Sequence, residues 1–232
     1  MVLKNSASGT SVWDRQGPVA VEPECQNNAF VRPVWAAVLK RTIDLFGSLF
    51  GLICLFPALL LIAIVIKVRD GGPVFYLRRV VGPQGAFCAF KFRSMHPAAE
   101  AILHANPELC DSFKENFKLK HDPRITAIGS FLRKYSLDEL PQLMNVLLGQ
   151  MSLVGPRMIT AEELSKYGPY QGLLLSTKPG LTGYWQVNGR QNVPYSQRVE
   201  MDVYYLQHWS LGFDIRLLIQ TPWKVLKGEG AV

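Results

Sequence analysis

The longest apolar stretch of the chain lies between Asp44 and Lys67, where Leu45 to Ile66 form 22 consecutive uncharged residues. At about 1.5 Å per residue, one helix over this run is long enough to cross the hydrocarbon core of a bilayer. Pro57 stands near its middle, where it removes a backbone donor and crowds the preceding turn, so a break is expected there. Basic residues flank both ends, Lys40 and Arg41 before the run and Lys67, Arg69, Arg78 and Arg79 after it. The positive-inside rule therefore draws both ends towards the cytoplasm. A re-entrant helix-break-helix satisfies both observations, with a kinked single span and a buried soluble helix as the alternatives.

After Gly71-Gly72-Pro73 the pattern changes to period two. Val74–Val81, the turn Gly82-Pro83-Gln84-Gly85 and Ala86–Arg93 read as a β-hairpin. Alternation on the second strand puts Phe90 and Phe92 on one face and Lys91 and Arg93 on the other, with Cα atoms roughly 7 Å apart. Two cations so placed suit a diphosphate, though an edge strand also carries solvated charges. Pro97 to Lys120 is mixed and helix-like. Asp122-Pro123-Arg124 reads as a turn into a short amphipathic stretch, Ile125–Tyr135.

Helical periodicity returns between Tyr195 and Trp209, with a stripe of Tyr195, Val199, Asp202, Leu206 and Trp209. Asp202 occupies a place that a hydrophobe would fill, and either pairing with Arg198 one turn earlier or a role in an active site explains it. The last stretch, Leu211–Lys227, combines Leu217, Leu218, Ile219, Trp223 and Leu226 with Arg216, Lys224 and Lys227, which suits a headgroup-level helix as well as core packing. The fold class expected from these elements is α+β, mainly helical.

The 232 residues, 48% hydrophobic, suffice for one domain with a real core. A net charge of +7 asks for an anionic partner, which could be nucleic acid, a phospholipid surface or a phosphorylated substrate. The four cysteines show neither disulfide nor zinc spacing, and Cys54 and Cys88 read as small buried hydrophobes. Residues 1 to about 30 have few periodic apolar positions, and the apolar run begins too far in for a secretory signal. The organisation expected is a mobile tail over 1–35, a re-entrant membrane helix over 36–70 and the remaining domain over 71–232.

Adjacent carboxylates stand at an expected helix start in Ser136-Leu137-Asp138-Glu139-Leu140-Pro141-Gln142-Leu143. Ser136 and Glu139 match a capping box, yet Ser136 as N-cap sets Pro141 five residues into the helix. Asp138 as N-cap avoids that cost, so Asp138 could be only a cap. A helix N-terminus would also keep a carboxylate ionised and favour a phosphate beside it.

Around the pair stand Arg133, then Arg157 in Ser152-Leu153-Val154-Gly155-Pro156-Arg157. Further on, Lys178-Pro179-Gly180-Leu181-Thr182-Gly183 leads into Trp185-Gln186-Val187-Asn188-Gly189-Arg190. Arginine forks and exposed backbone donors suit a polyphosphate ester, and amides such as Gln186 and Asn188 suit a sugar or base edge.

These motifs occur in a recognisable order: Lys40-Arg41-Thr42-Ile43-Asp44, the apolar segment broken at Pro57, Lys91-Phe92-Arg93-Ser94-Met95, Asp122-Pro123-Arg124-Ile125-Thr126, Leu132-Arg133-Lys134 with Ser136 to Gln142, and Gln186-Val187-Asn188-Gly189-Arg190. In this order the chain resembles, over about residues 36 to 227, the bacterial sugar transferases, or monotopic phosphoglycosyl transferases.

The resemblance implies a re-entrant helix broken at Pro57, interfacial helices and a cytosolic active site at the bacterial inner membrane. It implies transfer of a hexose-1-phosphate, galactose or glucose, from a UDP-sugar to undecaprenyl phosphate, with release of UMP, as the first membrane step of exopolysaccharide synthesis. Asp138 would be the nucleophile of a covalent phosphosugar intermediate, with Glu139 as its partner and Lys91, Arg93, Arg133, Arg190 and Asp202 as further site residues. A carboxylate attacking a diphosphate calls for Mg²⁺, held by Asp138, Glu139 or both, and two successive displacements call for ping-pong kinetics. One departure is Met158, where the family commonly carries proline after Gly-Pro-Arg; it touches the rigidity of the Arg157 loop.

A membrane-anchored scaffold that binds anionic lipids or an assembly partner is the competing reading, and it demands nothing of Asp138 beyond a cap. Nucleic-acid binding leaves the apolar run and the carboxylate pair without purpose. The partners expected are therefore a UDP-sugar, undecaprenyl phosphate and membrane lipids, with no nucleic acid; a homodimer is compatible with the sequence.

Overall fold

The computed structural model describes residues 32–116, 119, 122–189 and 193–227. Its helices are α1 (Val34–Asp70), α2 (Ala99–His104), α3 (Pro107–Asn116), α4 (Ala127–Lys134), α5 (Leu143–Leu147), α6 (Ala161–Leu164), α7 (Gln171–Leu175), α8 (Tyr184–Asn188), α9 (Tyr195–Gln207) and α10 (Leu211–Lys227), with 3-10 helices at Leu137–Gln142 and Ser165–Tyr170. The strands are β1 (Phe75–Gly82), β2 (Gly85–Phe92), β3 (Ser152–Val154) and β4 (Gly180–Thr182). The mainly helical α+β class expected from the sequence is borne out. The mobile tail expected over 1–35 lies almost wholly outside the described residues.

Helix α1 runs 37 residues without interruption, so the break expected at Pro57 is not seen, and it ends where Gly71, at φ 68°, takes the left-handed conformation and donates to the Lys67 carbonyl. It is long and apolar enough to cross a membrane. Little of its apolar window is buried in the protein, which removes the reading as the core helix of a soluble protein. Phe46, Phe50, Ile53, Phe56 and Leu61 are exposed, as are Ile219, Trp223 and Leu226 of α10. Cys54 is exposed with the outer face of α1, and Cys88 is exposed on β2, so neither is the buried hydrophobe expected.

The buried stripe of α1 is Ala36, Lys40, Asp44 and Ser48, at four-residue spacing. Lys40 Nζ pairs with Asp214 at 2.6 Å and donates to the Val154 carbonyl; Asp44 accepts from Ser152 Oγ and the Leu153 amide. Arg41 donates to the carbonyls of Val146 and Leu147. The basic residues before the apolar run thus hold the helix to the protein. At the other end of α1, Ile66 is fully buried against Phe92 and Leu132, with Leu137 packed beside them.

Strands β1 and β2 form the expected antiparallel hairpin, in register from Phe75 against Phe92 to Gly82 against Gly85. The Asn145 side chain of α5 accepts from the Phe90 amide and donates to the Cys88 carbonyl, tying β2 to the segment that follows the carboxylate pair. Strands β3 and β4 pair in parallel, Ser152 with Gly180 and Val154 with Thr182. Their approach needs glycine, because a Cβ on Gly155 would lie 2.7 Å from the Lys178 carbonyl and 2.8 Å from the Gly180 nitrogen. Met158 and Ile159 drop directly from this loop into the main core, and Ile159 bridges to Val81. The loop is therefore pinned by core packing at Met158 and Ile159.

Candidate active site

The carboxylate pair sits on a 3-10 helix that starts after Ser136, the N-cap position set aside for its cost at Pro141, and without the capping box weighed for it. Ser136 is the N-cap, in the left-handed conformation at φ 53°, and its side chain makes no cap hydrogen bond. Its carbonyl accepts from the Glu139 amide at 3.3 Å, so the chain turns sharply just before the pair. Pro141 is accommodated because the short 3-10 segment ends before α5 begins, and Asp138 caps nothing.

Glu139 Oε1 receives Lys91 Nζ at 2.6 Å and Arg157 Nη2 at 3.0 Å. Lys91 Nζ is also 4.0 Å from Asp138 Oδ2. Asp138 is buried, and among the described residues its carboxylate has this one ion-pair partner and no hydrogen bond. Burial pushes the Asp138 carboxyl above its ordinary range, with Lys91 opposing and the neighbouring Glu139 charge adding to the rise. For Glu139 the same burial is outweighed by Arg157 and Lys91, which hold it far below the usual carboxylate range. The expectation that a helix terminus keeps Asp138 ionised is thus reversed: Glu139 is the firmly ionised member, and Asp138 is the less committed one.

Arg133 reaches the pair from α4, its Nε donating to Ser94 Oγ at 2.9 Å, and its charge acts on Asp138. Arg93 does not join it. Residue 93 lies just past the end of β2, and its guanidinium turns to Gly72 and lies 3.6 Å from Asp70 at the end of α1. Lys91 and Arg93 were expected on one face of the hairpin; they part because the strand ends at Phe92.

Asp202, fully buried, accepts from Tyr167 Oη at 2.8 Å, and the Arg157 backbone amide faces it. It does not pair with Arg198, which donates instead to the Val193 carbonyl. Asp202 therefore stands behind the Arg157 loop. Burial lifts its carboxyl to about 7 in spite of the Tyr167 hydrogen bond.

Trp185 lies 5.4 Å from the Arg157 guanidinium carbon, measured to its ring centroid. Gln186, whose amide nitrogen and oxygen are buried without a hydrogen-bond partner, folds back towards Gly183. Asn188 is exposed and bonds to the Tyr184 carbonyl of its own helix. Arg190 lies outside the described residues.

Three groups that the sequence did not single out support this arrangement. Asn145 and Tyr167 are described above; Glu163 closes a capping box on Thr160 and holds Arg78 at 3.0 Å. A signal existed for Asn145, an amide inside the apolar run Leu143 to Leu148. Tyr167 carried none, because only the fold brings it to Asp202.

The pair offers a metal ion both oxygens of Asp138 and the Oε2 of Glu139, all without hydrogen bonds among the described residues, whereas Glu139 Oε1 is already doubly engaged. Mg²⁺ commonly uses one or two carboxylates and completes its shell with phosphate oxygens and water, so this donor set fits it.

A family model described as bacterial sugar transferase matches residues 35–228. The UDP-galactose-lipid carrier transferase of Erwinia amylovora is 47% identical over 83% of the chain, which spans 41% of that protein. The undecaprenyl-phosphate galactose phosphotransferase of Salmonella typhimurium is 47% identical over 89% of the chain and 44% of its own length. The exopolysaccharide production protein ExoY of Sinorhizobium fredii is 40% identical over 89% of the chain and 93% of its own length. The chain thus spans less than half of some relatives and nearly all of another. With a family match from the start of α1 to the end of α10, this protein belongs to the bacterial sugar transferase family.

Proposed function

We propose that the chain transfers a hexose-1-phosphate from a UDP-sugar to undecaprenyl phosphate, releasing UMP. UDP-galactose is the first choice of donor, following the names of the Erwinia and Salmonella relatives. UDP-glucose is second, following a Xanthomonas relative named a UDP-glucose:undecaprenyl-phosphate glucose-1-phosphate transferase. The observation that carries the reading is the buried Asp138 carboxylate, without a hydrogen bond and beside a Lys91–Glu139–Arg157 cluster.

In the first displacement an Asp138 oxygen attacks the phosphorus that bears the sugar, and the bond to UMP breaks with its electron pair leaving on UMP. In the second, an oxygen of the lipid phosphate attacks the same phosphorus, and the Asp138 carboxylate departs. A carboxylate poorly solvated by burial is a stronger nucleophile once ionised, and Lys91 and Arg157 supply positive charge where the phosphate must come. Mg²⁺ on Asp138 or Glu139 would neutralise the approaching diphosphate.

The membrane arrangement belongs to the same reading. Both the start of α1, through Lys40, and its end, through Ile66, pack on the same body that holds Asp138. A straight crossing would carry those ends to opposite faces of the bilayer. This favours a re-entrant helix bent at Pro57, with the site at the cytoplasmic face of the inner membrane and Leu137 bringing Asp138 close to the lipid-borne acceptor. The scaffold reading leaves the buried charged cluster without a purpose.

The test is to incubate detergent-solubilised protein with Mg²⁺, a UDP-hexose and undecaprenyl phosphate. Release of no more than one equivalent of UMP per protein without the lipid and of many equivalents with it, both abolished in a normally folded Asp138→Asn, is the expected result; release unaffected by Asp138→Asn removes the nucleophile assignment.

A further inference from the structure

Arg157 does not have Trp185 to itself. The Arg198 guanidinium carbon, from α9, lies 4.9 Å from the same ring centroid. Two cations therefore share one indole and can be no further apart than the two centroid distances together. Their situations differ. Arg157 is answered by Glu139 at 3.0 Å. Arg198, half-buried, has no carboxylate within ion-pair distance among the described residues and donates one hydrogen bond, from Nε to the Val193 carbonyl. Burial and the like charge of Arg157 both pull the Arg198 pKa down, with Tyr195 and Glu163 opposing.

A structural role alone explains this poorly. Stacking on Trp185, with a longer contact to the Tyr195 ring at 5.9 Å, would fasten α9 to α8, but each such contact contributes only about 0.5–2 kcal/mol and is opposed by the repulsion from Arg157. A bound anion between the two forks removes that opposition. We infer that Arg157 and Arg198, set on the Trp185 ring, form the cradle for the phosphate that leaves with the nucleotide. The inference rests on the transfer reading above and deepens it.

The choice of phosphate follows from where the two sides of the pair lead. Leu137, next to Asp138, packs with Ile66 and Leu132 against α1, the side from which a lipid-borne phosphate arrives. Trp185 of α8 packs with Met201 of α9 and with Val193, just before α9, in a separate cluster. Arg157 touches both the carboxylate pair and the indole, so it bridges the reacting phosphate and its departing neighbour, while Arg198 meets only the latter.

The experiment titrates UMP, and separately uridine, into the full-length detergent-solubilised protein by calorimetry, for wild type, Arg198→Gln and Arg198→Lys. Loss of a charge-assisted hydrogen bond predicts UMP binding weakened roughly 10- to 100-fold in Arg198→Gln, with partial recovery in Arg198→Lys. Uridine affinity and the KM for undecaprenyl phosphate stay unchanged. Unchanged UMP affinity, equal losses for UMP and uridine, or a rise confined to the lipid KM each overturn the assignment. If Arg198→Gln does not fold, Arg198→Lys alone decides, since wild-type UMP affinity in that variant contradicts a planar phosphate fork. Arg198-dependent UMP binding in a protein that releases no UMP from any UDP-sugar would leave this site standing and remove the transfer reading.

Discussion

Lys91 and Glu139 meet at 2.6 Å across the gap between β2 and the 3-10 helix, and the same ammonium stands 4.0 Å from Asp138. This cation and Arg157 hold Glu139 as an ionised anchor, while burial leaves Asp138 the less committed neighbour. The two roles differ under substitution. Glu139→Gln removes the charge that helps raise Asp138, so the acid limb of the pH–rate profile moves to lower pH. It also frees Lys91 and Arg157 from their anchor, and kcat/KM falls by about 10²-fold, a typical cost for one preorganised electrostatic group. A pH–rate profile of UMP release measures both; an acid limb that stays in place or moves upward contradicts the coupling.

Asp202 gives the fold a pH dependence of unusual sign. Its carboxyl is raised from 3.8 to about 7 in the folded protein, with burial as the main cause. Between those values the folded state keeps a proton that the unfolded state has released, so stability falls as pH rises through this window. The cost reaches about 4 kcal/mol at most above pH 7. Asp202→Asn, which can still accept from Tyr167, should remove this slope and raise the thermal midpoint at pH 8 relative to pH 5. Parallel slopes in the two proteins would contradict the assignment.

Asp214 is the acceptor that docks α1, receiving Lys40 at 2.6 Å, Tyr205 Oη at 2.7 Å and Trp209 Nε1 at 3.0 Å. Asp214→Ala leaves a buried ammonium without a counter-charge and should cost about 3–5 kcal/mol. Adding Lys40→Met removes the stranded charge and should restore much of the loss. Thermal midpoints of the two single variants and the double variant measure the coupling, and additive losses would show that the pair does not hold the helix.

Gly155→Ala forces a methyl against the Lys178 carbonyl and the Gly180 nitrogen, backbone atoms that cannot move aside cheaply. A loss of about 1–3 kcal/mol is expected from such overpacking, together with a higher KM for the UDP-sugar as the Arg157 loop shifts. Thermal midpoint and donor kinetics on one preparation test this, and an unchanged KM would separate the loop from donor binding.

What could be read in the sequence was local or periodic. The β-hairpin, α9 and α10 follow from repeats of two and near 3.6, and the segment Leu211–Lys227 matches α10 to the residue. The Asp138-Glu139 pair was legible as chemistry because adjacent carboxylates beside a proline invite an explanation. Its local geometry was not legible, because the left-handed Ser136 and the 3-10 turn are set by packing around Leu137 and Leu143. Arg93 shows the limit of strand periodicity, since its direction depends on where the strand ends. Lys40 and Arg41 show the limit of counting charges, because the fold engages both with the protein. Tyr167 behind Asp202 and Arg198 over Trp185 are contacts between distant parts of the chain that no periodicity encodes.

The most direct measurement of the central claim is the intact mass of the detergent-solubilised protein after incubation with Mg²⁺ and UDP-galactose or UDP-glucose, without lipid acceptor. The account predicts an added hexose phosphate with one of the two donors, absent in Asp138→Asn and discharged when undecaprenyl phosphate is supplied. No adduct with either donor, in a preparation that still releases UMP once the lipid is added, would mean direct transfer and contradict Asp138 as the nucleophile.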